Sequence, residues 1–87
     1  MMAMPPRPDP DYTRKLSRVL VLDDGTRIVT LLDAARIVRE RFVVATAWPL
    51  LELSIEQLMT AAATGDAADV LAATDSLERV LRARRLL

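Results

Sequence analysis

The 87-residue chain contains no cysteine and no histidine. The first absence excludes disulfides and thiolate metal sites. The second removes the commonest general base and metal ligand. Together they leave no means of assembling a Ser-His or Cys-His nucleophile. Gly25 and Gly65 are the only glycines, so no glycine-rich loop is available to cradle a phosphate. Long apolar runs are missing as well. Phe42 to Leu51, the longest uncharged stretch, is about half of what a membrane-spanning helix needs, and Pro49 interrupts it. Met1 to Met4 lead straight into prolines, with no apolar signal region, and a cytoplasmic location is expected. Asp23 and Asp24 are adjacent carboxylates, but a bound cation needs several further oxygen ligands. No catalytic residue, metal or cofactor is expected, and the chain reads as a non-enzyme.

Against these absences stands an excess. Hydrophobic residues make up 52% of the chain, more than a core of this size can hide. Residues 1–16 hold Pro5, Pro6, Pro8 and Pro10 and read as a disordered, polyproline-like tail. Residues 17–87 then form a single domain of roughly 70 residues, a size that is marginally stable without a staple. Self-association would give the surplus apolar surface somewhere to go. A homodimer, with an unidentified protein as a further partner, is the expected assembly.

The architecture is organised by residues 18–42. Arg18 to Leu22 and Arg27 to Leu32 are β-branched runs flanking Asp23, Asp24, Gly25 and Thr26. Asp24-Gly25 suits a two-residue type I′ turn, and the same residues suit a type I turn with Gly25 left-handed in a G1 bulge. Val19, Leu20, Val21 and Leu22 are apolar on both faces of the first strand. One face, or the free strand edge, therefore becomes a candidate contact with a second copy. Thr30 with Asp33 three residues on has the form of a capping box opening a first helix, frayed at 43–47 or continuing to about Ala47. Trp48-Pro49 breaks it and starts a second helix, to about Thr64, with a buried stripe of Leu51, Ile55, Leu58, Met59 and Ala62. Gly65 stops that helix and Asp66 caps a third, residues 67 to about 85, burying Val70, Ala73, Leu77, Val80 and Leu81. Asp75 with Arg79, and Glu78 with Arg82, are spaced for ion pairs along it. The fold class expected is α+β: an N-terminal β-hairpin followed by three packed α-helices.

Formal net charge is zero, so no global field draws the chain to nucleic acid or an anionic surface. The distribution is uneven. No Lys or Arg occurs from Phe42 to Glu78, and Arg79, Arg82, Arg84 and Arg85 follow at once. Arg36 and Arg39 on the first helix with Arg82 and Arg85 make a candidate basic surface if those two helices lie side by side. That is the alternative reading, a small DNA-associated regulator, and zero net charge, few aromatics and the intervening acids oppose it. The candidate partner contacts are Val19 and Val21 on the outer strand face, Trp48 at the helix junction, and Leu77 and Val80, which also fit a short heptad seam.

The order of these signals resembles a small bacterial family catalogued as domain of unknown function 982. The residues that carry the resemblance are Val19 to Leu22, Gly25, Val29, Asp33-Ala34-Ala35, Trp48-Pro49 and the helix end Ala61 to Gly65. It covers about residues 18–87 and implies a hairpin followed by three helices, with no known activity.

Overall fold

The computed structural model describes residues 10–42 and 48–87. Pro5, Pro6 and Pro8, and any continuation of the first helix toward Ala47, lie outside the described residues. The order is β1 (Lys15–Val21), β2 (Arg27–Thr30), α1 (Leu31–Arg41), α2 (Pro49–Thr64) and α3 (Ala67–Ala83). The strands form a two-stranded antiparallel sheet. This is the expected α+β fold, with α3 laid on β1 and α2, and α1 on β2 and α2.

The hairpin turn is the type I plus G1-bulge form. The Gly25 amide donates to the Leu22 carbonyl at 2.9 Å, and the Leu22 amide to the Thr26 carbonyl at 2.8 Å. Gly25 has φ +87°, while Asp24 is not at positive φ, and a type I′ turn would require both. Leu16, Leu20, Leu22 and Ile28 point into the core; Val19 and Val21 point out. The strand register slips between Lys15 and Leu20, a bulge that turns the Ser17 amide toward α3 instead of the sheet.

The fold begins earlier than the sequence suggests. Composition places residues 10–16 in a tail that cannot join the core, but β1 starts at Lys15 and Leu16 is buried. The Asp11 amide donates to the Ala62 carbonyl, and the Leu32 and Leu31 amides donate to the carbonyls of Tyr12 and Arg14, each at 2.8 Å. Backbone pairing, which is indifferent to side-chain composition, ties this segment down.

Helix starts follow the local chemistry. The Asp33 amide donates to Thr30 Oγ1 at 3.1 Å, and Asp33 Oδ2 accepts the Thr30 amide at 3.2 Å. This reciprocal box opens α1 without a linker from β2. Pro49 occupies the first turn of α2, and Gly65 ends that helix in the left-handed region at φ +66°. Asp66 sits at the N-cap of α3, but its side chain makes no capping bond. Thr64 Oγ1 instead accepts the Asp66 amide at 3.1 Å and donates to Asp69 at 2.6 Å.

The core stripe of α3 is as read from its spacing, with Val70, Ala73, Leu77, Val80 and Leu81 all buried. In α2 the stripe is rotated. Leu51, Ser54, Leu58, Ala61 and Ala62 are buried, and Ile55 and Met59 are exposed. The reason is α3, which packs beside α2 and draws its inward face toward Ser54 and Ala61.

Candidate interaction surface

Each surface feature of this fold is accounted for by packing, by pairing, or by neither. Arg18 lies over α3, with its guanidinium 2.8 Å from Asp75 and also paired with Glu78. Asp75 therefore pairs across the fold with Arg18, while the expected Glu78–Arg82 pair is present at 3.1 Å. These bonds, that from Arg18 first, lower the Glu78 pKa. Arg41 reaches the turn, 2.8 Å from Asp24. Hydrogen bonds from Thr26, then the Arg41 guanidinium, bring the Asp24 pKa down to about 2. Turn and helix-end chemistry thus absorb the Asp24 carboxylate, while Asp23 is tied in through its backbone amide, which donates to the Leu86 carbonyl at 2.7 Å. Among the described residues, no group of three or more acidic side chains is placed to hold a metal ion.

Trp48 is half-buried and packs against the core. Its ring centroid lies 6.0 Å from that of Phe42 at 45°. The Arg84 guanidinium covers both rings, 5.2 Å from the indole and 5.7 Å from the phenyl centroid. Trp48 therefore seals the junction at which α1 ends, α2 begins and α3 closes. Leu77 and Val80 have no exposed surface at all. The two residues proposed as a helical seam are corrected to core positions, because β1 and α2 already cover that face of α3. Val19 and Val21 do present apolar surface, at 41% and 51% exposure.

The four candidate arginines divide into two pairs. Arg36 and Arg39 are exposed on α1; Arg82 and Arg85 are exposed at the end of α3. α1 packs on α2 and β2, and α3 packs on α2 and β1, so the side-by-side packing of α1 and α3 assumed for a merged basic surface is not a main contact of the fold. Arg85 has a backbone role instead. Its φ of +56° and the bond from the Leu86 amide to the Leu81 carbonyl, 2.9 Å, make it the left-handed residue that closes α3.

Sequence reading misses the groove between α1 and α2. The two helices run antiparallel: Phe42 after α1 meets Trp48 before α2, while Tyr12 and Asp11 bond to Leu32 and Ala62 at the opposite end. A hollow of about 270 Å³ lies between them, lined by Tyr12, Ala35, Val38, Arg39, Ile55, Leu58 and Met59. A second of about 250 Å³ adjoins it along α1, lined by Leu32, Ala35, Arg36 and Arg39. Ile55 at 38% and Met59 at 56% exposure form one bank, and Leu32 at 45% borders the adjoining hollow on α1. The sequence signal was the breadth of the apolar arc on α2. Leu50, Leu51, Leu53, Ile55, Leu58 and Met59 spread too far around a helix for one buried stripe.

Comparison with family models, with curated proteins and with solved structures finds no match to this chain. The resemblance to the domain of unknown function 982 family rests on the motif residues alone. No helix among the described residues is long and apolar enough to cross a membrane.

Proposed function

We propose that this chain is a non-catalytic protein–protein interaction module that works as a homodimer in the cytoplasm. One observation carries the reading: the core is complete without Val19, Val21, Leu32, Leu53, Ile55, Met59 and Leu71, which stay exposed. Scattered apolar residues are normal on any surface. Here, however, Ile55 and Met59 line the hollow between α1 and α2, and Leu32 lines the one that adjoins it. Association would remove that surface from water at roughly 25 cal/mol per Å².

The distribution of the arginines favours contact with protein over contact with phosphate. Arg36 and Arg39 lie on α1 and Arg82 and Arg85 at the end of α3, helices whose packing on each other is not a main contact of the fold, and Arg82 is engaged by Glu78. Sedimentation equilibrium over about 1–100 µM tests the proposal, a span chosen to bracket dissociation constants of moderate interfaces. A species of twice the 9.7 kDa chain mass supports it. A monomer at every concentration overturns it.

A further inference from the structure

Two exposed strips border the α1/α2 groove, and they have opposite charge. Leu32, Ala35, Arg36 and Arg39 follow the i, i+3, i+4, i+7 spacing and form one strip along α1. Glu52, Ile55, Glu56 and Met59 repeat that spacing along α2. Each strip mixes two charged residues of one sign with two apolar ones. Among the described residues, none of Arg36, Arg39, Glu52 and Glu56 takes part in an ion pair. A basic, partly apolar strip beside its acidic counterpart is complementary to a rotated copy of itself.

We infer that a second copy of this chain is the occupant of the α1/α2 groove, an inference that rests on the homodimer proposed above and names its surface. The two-fold axis runs along the groove, parallel to the helices. That rotation sets α1 of one protomer antiparallel over α2 of its partner, and the reverse contact follows by symmetry. Heights along the axis are kept. Arg39, which shares the groove wall with Ile55, meets the Glu52 and Glu56 level of the partner, and Arg36 meets the Glu56 and Met59 level. Leu32, Ile55 and Met59 close over the hollow between. An axis perpendicular to the helices would instead lay arginines on arginines and glutamates on glutamates, which is repulsive. Charge thus selects one orientation out of two.

The arrangement predicts a charge-exchange result. Arg36→Glu with Arg39→Glu makes both strips acidic; Glu52→Arg with Glu56→Arg makes both basic. Each double variant alone should lose self-association by at least about ten-fold, since like charges then face each other twice. Mixed in equal amounts, they should form a heterodimer, because both contacts become complementary at once. Analytical ultracentrifugation of the full-length wild type, each variant and the mixture reads this out, with helicity by circular dichroism confirming that each is folded. Should a reversal variant fail to fold, Arg36→Gln with Arg39→Gln replaces it and should weaken the wild-type dimer in low salt. If the wild type dimerises and the folded variants dimerise equally well, the contact lies elsewhere, with the Val19 and Val21 face next in line; this inference falls while the homodimer stands. Folded variants that dissociate singly but do not pair when mixed also overturn it. A wild type that is monomeric throughout overturns both.

Discussion

The hydroxyl of Thr74 accepts the backbone amide of Ser17 at 3.1 Å and donates to the Val70 carbonyl at 2.8 Å. It thereby satisfies the amide that the bulge in β1 turns away from the sheet. Thr74 has no exposed surface, so water cannot replace it. Thr74→Val keeps the shape and removes the acceptor, and should cost about 1–3 kcal/mol, as for a buried donor left unpaired. Hydrogen exchange at the Ser17 amide should accelerate in Thr74→Val and stay slow in Thr74→Ser. Equal protection in Thr74→Val would mean that the bond holds nothing in place.

Among the described residues, three occupy the left-handed region, and substitution should sort them. Gly25 has open space where a Cβ would go, so Gly25→Ala should cost roughly 1 kcal/mol and Gly25→Asn less. At Gly65 a Cβ would meet only the guanidinium of Arg14, the far end of a flexible and exposed side chain that can swing aside. Gly65→Ala should therefore also cost roughly 1 kcal/mol, the cost of positive φ alone, and adding Arg14→Ala should change it little. Arg85 is the reverse case, a side chain already bearing the strain at φ +56°. Arg85→Gly should stabilise by about 0.5–1 kcal/mol. Denaturant midpoints at constant slope measure all of these.

Ser54 has no exposed surface, and its hydroxyl has no hydrogen-bond partner among the described residues. Ser54→Ala removes an uncompensated polar atom and improves helix propensity, and should raise stability by up to about 1 kcal/mol. A loss of stability would show that the hydroxyl is satisfied in solution.

Acid should unfold this protein in a definite window. Hydrogen bonds from Thr26, with the Arg41 guanidinium, hold Asp24 at about 2, and backbone bonds from Val29 and Thr30 lower Asp33. Arg18 lowers Glu78. Unfolded carboxylates titrate near 4. The folded form binds fewer protons below that point, so these groups stabilise it above about pH 4, and the contribution fades as pH falls toward about 2. The urea midpoint should be flat from pH 7 to 5 and drop below pH 4. The drop should be smaller in Asp24→Asn with Asp33→Asn.

What could be read from the sequence was whatever local chemistry decides. Thr30 with Asp33, Trp48 with Pro49, and Gly65 each act within one helical turn, and each marks its boundary correctly. The turn had two solutions in sequence because Asp-Gly satisfies both; only the backbone angle of Asp24 separates them. Distant partners stayed hidden. Asp75 takes Arg18 over the better-spaced Arg79, and residues 11–14 are held by carbonyls and amides of α1 and α2 that composition does not reveal. Periodicity places Ile55 and Met59 in the core because it defines a stripe without saying which edge of a broad arc faces inward; the structure leaves both at the border of the groove.

The clasp between Ser17 and Thr74 spans 57 residues of chain, and the bond from the Asp23 amide to the Leu86 carbonyl spans more. Closing a loop of that length carries an entropic cost of roughly 3–4 kcal/mol before any contact is made. The hairpin cannot recover this alone, because two strands are not stable in water without a covering layer. During synthesis, therefore, the strands leave the ribosome long before the helix that shields them, and their apolar inner face waits uncovered until α3 emerges. Folding of the nascent chain is expected to be a single late event.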